Sequence, residues 1–268
     1  MDIFDIFLKR HEKHHTHHSY LSLMKGVIGL MLDPKHTESV FDIEDGLRHS
    51  ASSKELLRFT AKDSVVQTLI KERYLQKTPP NTPELKKLPK GSLGREYVNH
   101  LDQFGFDPDY YRKIDVQEDI DYIMMRIRQT HDIWHVITGF DTHPLGEIAI
   151  KAVELAQTHR PMAAAICAGG VFRYMLKQPE EFGYCLDSIT AGYHLGLKAK
   201  PLLAMKWEEL WEYQVEDLRR ELNVQVLGPR GGALTVEFSP QSRLVAERAA
   251  QQEINKSLFS AITMGEIS

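Results

Sequence analysis

DIDYIMMRIRQTHDIWHVITG, residues 119–139, decides how this chain folds. Ile120, Ile123, Met124, Ile127 and Trp134 fall at i, i+3, i+4, i+7 and i+14, which is one face of an α-helix. Gly139 is a natural stop, because glycine adopts the left-handed conformation that closes a helix. Immediately beyond it, Asp141 or Thr142 can cap a new helix, with Pro144 in its first turn. That second helix, LGEIAIKAVELAQ from Leu145 to Gln157, is apolar on most sides, which argues burial. Two consecutive helices joined by a tight turn predict a mainly α protein with a substantial core.

The same stretch carries the chemistry. His131 and His135 are four residues apart, so their imidazoles share one face a single turn apart and can reach one metal ion. Continuing the stripe from Ile120 through Ile127 lands on these histidines, so they point toward the core. Asp132 lies about 100° around the helix from His131. It can approach a metal from the side, or orient a ligand or a bound water. Glu147 follows among Leu145, Ile148, Ala149 and Ile150. An ionised carboxylate buried without a partner costs several kcal/mol, and a metal held by His131 and His135 would supply that partner. A lone histidine on an apolar face is usually a hydrogen-bonded core residue. Here two histidines and two carboxylates fall together, and the expected centre is a buried metal site on His131, Asp132, His135 and Glu147.

Two histidines with a carboxylate suit zinc with a catalytic water. They equally suit non-haem iron with open positions. A divalent metal is expected, with zinc, iron and magnesium or manganese left open. Arg126 and Arg128 precede the motif. Arg128 can pair with Asp132 along the helix, or one of the two arginines can hold an anionic substrate group. His143 and His194 read as structural or surface residues.

Working outward, residues 1–19 include HEKHHTHH (11–18) and read as a histidine-rich, flexible terminus. LSLMKGVIGLML (21–32) is helical until Asp33-Pro34. Thr37 looks like the N-cap of TESVFDIEDGL, and a third helix is expected over Lys54–Leu75. The proline-rich TPPNTPELKKLP (78–89) reads as a connector without regular structure, more in keeping with a loop crossing one domain than with a linker. REYVNHLDQFG (95–105) is helical, as are 184–197 and 203–222; Trp207, Leu210, Trp211 and Leu218 make the last amphipathic. Ala163, Ala164, Ala165, Gly169 and Gly170 either let helices approach closely or leave an apolar pocket for a lipid-like tail. Beyond residue 224 a short β-ribbon is possible around Arg230-Gly231-Gly232, followed by polar helical sequence. The expected organisation is 1–19 terminus, 20–224 helical domain, and 225–268 C-terminal extension.

Bulk properties exclude several classes. A net charge of −4 lacks the basic surplus of a nucleic-acid binder. Only two cysteines, Cys167 and Cys185, are present, at no zinc spacing, and they read as buried reduced thiols. The longest uncharged run, PMAAAICAGGVF (161–172), falls short of the roughly 20 apolar residues that span a bilayer. No signal or transit peptide is visible in MDIFDIFLKRHEKHH. A cytoplasmic protein, peripheral at the inner membrane at most, is expected.

His131-Asp132-Ile-Trp-His135, eleven residues, then Glu147 resembles the HDxxH…E signature of the Coq4 family of ubiquinone-biosynthesis proteins. LDPKHTESVFDIEDGL (32–47), LPKGSLGREYVNHLDQFGFDPD (88–109, with Gly94-Arg95-Glu96-Tyr97) and WEELWEYQVEDLRRELNV (207–224) resemble further segments of that family. The resemblance covers residues 20–224 and points to a bacterial-type member. It implies a helical fold, a metal site on the four motif residues beside a pocket for an isoprenoid tail, and a homodimer. It also implies a prenylated quinone precursor or isoprenoid lipid as ligand, and other quinone-biosynthesis enzymes as partners. Two roles are implied: oxidative decarboxylation, which replaces the ring carboxyl of a prenylated hydroxybenzoate with hydroxyl, or non-catalytic organisation of the pathway enzymes. Arg126 or Arg128 would then meet the ring carboxylate. A zinc hydrolase is a further alternative, with Asp132 standing where zinc proteases carry glutamate.

Overall fold

The computed structural model describes residue 29 and residues 37–48 and 50–225. The order is α1 (Thr37–Leu47), α2 (Ala51–Thr60), α3 (Ser64–Glu72), α4 (Thr82–Leu85), α5 (Leu93–Phe104), α6 (Asp119–Thr138), α7 (Pro144–Thr158), α8 (Pro161–Lys177), α9 (Phe182–Lys198) and α10 (Val215–Glu221), with short 3-10 turns at Pro179–Glu181, Leu202–Ala204 and Trp207–Glu209. Among the described residues there is no strand, only an isolated bridge between Ser92 and Gln214. The architecture is mainly α, as expected. The possible β-ribbon, the histidine-rich start and the helix expected at 21–32 lie outside the described residues, apart from Gly29 within the last, which is helical.

The decisive stretch forms α6. Its stripe Ile120, Ile123, Met124, Ile127 and Trp134 is buried, each at 3 % exposure or less. Gly139 ends the helix in the left-handed conformation at φ +77°, and its N–H donates to the His135 carbonyl. At the start of α7, Pro144 holds the first turn, but the capping position is His143 rather than Asp141 or Thr142. Asp141 instead braces the turn from within, its Oδ1 accepting the His143 N–H at 3.1 Å.

One core runs from Leu56 and Leu69 through Leu93, Trp134 and Val153 to Trp207 and Leu222. Leu85, in the proline-rich stretch, is part of it, which makes that segment a loop within one domain. The stretch is not wholly irregular: Asn81 caps the single turn α4. Two other expectations are corrected. The helix expected over 54–75 is two helices, because Asp63 accepts the N–H groups of Val65 and Val66 and starts a new one. The helix expected over 203–222 is two 3-10 turns, a hydrogen-bonded turn at Leu210–Tyr213 and the short α10. There the Trp211 and Tyr213 carbonyls accept the N–H groups of Gly94 and Leu93, the free donors of the first turn of α5.

The small residues serve close packing. A Cβ at Gly192 of α9 would run into the Ala149 backbone of α7, and one at Gly170 of α8 would meet the Ile148 side chain. Beneath them lies a buried ion network. Glu44 of α1 accepts from both Arg128 of α6 and Arg160, which precedes α8. Arg160 also donates to Glu154 of α7, which accepts from Lys151 at 3.0 Å. Four elements are thereby tied through charges that are nearly fully buried.

Candidate metal centre

One ring nitrogen of His131, one of His135 and a carboxylate oxygen of Glu147 lie within 4.8 Å of one another. His131 Nε2 is 3.4 Å from Glu147 Oε2, and His135 Nε2 is 3.4 Å from Glu147 Oε1. Donors about 2.1 Å from a tetrahedral ion stand roughly 3.4 Å apart, so this spacing fits a metal better than it fits direct hydrogen bonds. The tautomer also fits. His135 Nδ1 is 2.9 Å from the Phe140 carbonyl, which can only accept, so Nδ1 carries the proton and Nε2 keeps its lone pair toward Glu147. Histidine ligands of metals are commonly held this way.

The local sequence builds this arrangement. The turn after Gly139 reverses the chain, and the Glu147 N–H donates to the His143 carbonyl at 2.9 Å, placing Glu147 in the first turn of α7. Gly146 makes the approach possible, since a Cβ there would collide with the Asp141 carbonyl and carboxylate. The His135 side chain is closed off at 1 % exposure, while His131 and Glu147 stand at 28 % and 37 %. The cluster therefore opens on one edge.

Electrostatics distinguish the two histidines. Burial, then the cations Lys151, His135 and Arg160, push His131 well below the ordinary imidazole value and keep it neutral. Burial also works against protonation of His135, but the Glu147 carboxylate outweighs it and the net shift is upward. Asp132 stands outside the three-donor convergence. It is held above the ordinary carboxylate value by burial, with His135 opposing and Glu147 reinforcing.

Arg126 is buried and donates to Glu208, at 2.5 and 3.0 Å, and to the Met205 carbonyl at 2.8 Å. Arg128 reaches Glu44 and the Arg112 carbonyl instead of Asp132. Both arginines are thus committed to partners within the chain. His143 is half-exposed beside Asp141, and His194 is exposed.

Sequence reasoning missed His100 of α5. Its ring stacks on that of His135 with centroids 5.5 Å apart, and its edges meet Phe104 and Phe106. Burial and His135 push its imidazole down to about 4, with Glu147 opposing. The position had no periodic signal of its own; only the packing of α5 on α6 reveals it.

Fold and centre together define a helical protein in which two histidines and a glutamate converge at a spacing that fits a divalent metal. Residues 9–228 match the family described as coenzyme Q (ubiquinone) biosynthesis protein Coq4, and the chain belongs to that family. Among curated relatives, a mitochondrial ubiquinone biosynthesis protein COQ4 homolog of Aedes aegypti is 33% identical over 235 residues, covering 82% of this chain and 81% of the relative. The mitochondrial coq4 protein of Aspergillus fumigatus is 28% identical over 207 residues, covering 74% and 70%. A crystal structure of a Nostoc punctiforme protein provisionally assigned to ubiquinone biosynthesis superposes with a TM-score of 0.72 at 33% identity, covering 79% of this chain and 99% of that one.

Proposed function

We propose that the protein binds a divalent metal through His131, His135 and Glu147 and converts a prenylated hydroxybenzoate-type acid by oxidative decarboxylation. The observation that carries this reading is the convergence of three donors, with the His135 tautomer fixed by the Phe140 carbonyl. Net, the bond from the ring carbon to its carboxylate breaks, carbon dioxide leaves, and a hydroxyl takes its place. The ring loses two electrons, dioxygen accepts them and leaves as hydrogen peroxide, and water supplies the hydroxyl oxygen. A metal held by His131, His135 and Glu147 would supply Lewis acidity. The chain's own residues do the rest. Glu147 and neutral His131 present the open edge, and His135 is locked in orientation. Asp132, raised toward its neutral form beside the cluster, orients a bound water or receives its proton.

A second reading, a non-catalytic organiser that holds the lipid at a membrane surface, is favoured by a separate observation. Phe172, Met175 and Leu176 on α8 fall at i, i+3 and i+4 and are exposed. Leu186, Tyr193 and Leu197 do the same at i, i+7 and i+11 on the adjoining α9. Exposed apolar stripes of this kind mark contact surfaces, and the polyprenyl ligand resides in a bilayer. Among the described residues no helix is long and apolar enough to cross a membrane.

The test is to strip the protein of metal, reload it with Fe(II), Mn(II) or Zn(II), and incubate it with a prenylated 4-hydroxybenzoate under oxygen. Mass spectrometry follows loss of carboxyl and gain of hydroxyl. Metal-dependent conversion that vanishes in His135→Ala is the expected result. Lipid binding without conversion under any metal would hand the case to the organiser, and zinc-specific hydrolytic activity would revive the hydrolase alternative.

A further inference from the structure

His100 Nε2 is buried and has no hydrogen-bond partner among the described residues. A buried nitrogen left unpaired costs about 1–3 kcal/mol, and His100 has an aromatic setting in which a hydrocarbon ring would avoid that cost. The ring lies against His135, with Phe104 at 5.2 Å and Phe106 at 6.1 Å between centroids, and Phe104 in turn meets the edge of His143. All three donors of the centre are within its electrostatic reach: His135 and Glu147 act on His100, and His100 acts on His131. Its ring is stacked on His135 at 22° and is not among the three groups that converge. A metal held by three protein donors keeps a position for an outside ligand.

We propose that His100 is a ligand-positioning residue, its Nε2 hydrogen-bonding the oxygen atom that an aromatic acid places on the metal of His131, His135 and Glu147, with Phe104 and Phe106 flanking the acid's ring. The proposal rests on the metal reading above and adds to it a specificity element for aromatic carboxylates or phenolates.

The full chain, loaded with Co(II), tests it through the metal's visible absorption. Three quantities are measured in wild type, His100→Phe and His100→Gln: Co(II) affinity, far-UV circular dichroism, and the spectral change on titrating 4-hydroxybenzoate. Wild type and His100→Phe should bind Co(II) within about threefold of each other, since the hydrogen bond is to the outside ligand and not to the metal. 4-Hydroxybenzoate affinity should fall roughly ten- to hundredfold in His100→Phe, the range for one charge-assisted hydrogen bond, and recover partly in His100→Gln. Equal affinities for the acid in wild type and His100→Phe would overturn the proposal and leave the ring a packing element. Loss of Co(II) binding in folded His100→Phe would also overturn it, making His100 a ligand. Should the phenylalanine variant fail to fold, His100→Leu carries the same comparison. No Co(II) binding by wild type would sink the metal reading itself, an outcome distinct from the other two.

Discussion

Glu44→Gln should be among the most destabilising single substitutions in this protein, although Glu44 lies far from the motif in sequence. Its carboxylate is 1 % exposed and accepts from Arg128, at 3.0 Å from Nε, and from Arg160. The network holds three cations, Arg128, Arg160 and Lys151, against two carboxylates, Glu44 and Glu154. Neutralising Glu44 leaves three buried cations facing one carboxylate, and glutamine also turns an N–H₂ donor toward a guanidinium. Breaking a buried pair from one side costs about 3–5 kcal/mol, because the remaining charge stays out of water. For a domain of this size each kcal/mol moves the melting temperature by roughly 2–4 °C, so a fall of about 6–20 °C is expected. Urea unfolding gives the free energy directly, with the slope unchanged if the native fold persists. Metal stoichiometry should be retained, since Glu44 is not a donor. A loss under about 1 kcal/mol at constant slope would refute the reasoning: the charges would then be water-satisfied, and α1 would not be seated on α6 and α8 as described.

Gly146→Ala should weaken metal binding by about tenfold or more, in the range seen when groups supporting metal ligands are removed, because the added Cβ collides with Asp141 and tips the turn that carries Glu147; isothermal titration of the apoprotein with Zn(II) reads it. Gly192→Val should destabilise by roughly 1–3 kcal/mol or more, since the obstacle is the Ala149 backbone rather than a yielding side chain; the melting temperature reports it. Glu154 is pushed up by burial but pulled further down by Arg160 and Lys151, so its folded value lies below the ordinary 4.5. The unfolded chain therefore takes up this proton first: the stabilisation is whole above about pH 4.5 and disappears as pH falls through the lower folded value. Glu154→Gln should accordingly be less stable near neutrality and show a flatter acid limb in a plot of urea midpoint against pH. Burial pushes Cys167 up to about 12 and Cys185 to about 11. Both thiols should therefore resist Ellman's reagent at pH 8 until urea is added, and, because the unfolded thiols ionise first, stability should decline as pH rises above roughly 8.5.

Much of the centre was legible because its determinants are local. Five apolar positions set the phase of α6, that phase placed His131 and His135 on the core side, and Gly139 with Pro144 announced the turn that returns Glu147 to them. The spacing of two histidines by one turn is written in the chain, and so is a carboxylate that needs a partner among Leu145, Ile148 and Ile150. What escaped depends on residues far apart in sequence. Arg128 reads as a partner of Asp132 along the helix, or either arginine as a holder of a substrate anion, yet the acids of Arg126 and Arg128, Glu208 and Glu44, stand 82 and 84 positions away. The periodic Trp207, Leu210, Trp211 and Leu218 suggest one helix, but the Trp211 and Tyr213 carbonyls are taken by the first turn of α5. Apolar periodicity records which residues are buried, not which backbone partner they have. Gly146 left a signal that went unread, since a glycine inside an apolar helical pattern marks a close approach.

The two charge systems of the molecule explain why the motif has the order it has. Lys151 is one turn beyond Glu147 on α7, and after burial, the largest cause, it and then His135 and Arg160 push His131 well below the ordinary imidazole value. Burial opposes charge on His135, but the Glu147 carboxylate facing it outweighs that effect and shifts the imidazole upward. A divalent cation entering by the exposed edge would meet a His131 imidazole held neutral and a Glu147 carboxylate whose oxygens lie 3.4 Å from each histidine nitrogen. Exchanging Glu147 and Lys151 along α7 would keep composition, helix propensity and burial pattern intact. It would nonetheless set an ammonium in place of the carboxylate that converges with His131 and His135. The helix register is therefore as much a part of the centre as its three donors, and Glu154, further along the same helix, is tied through Arg160 to Glu44 of α1.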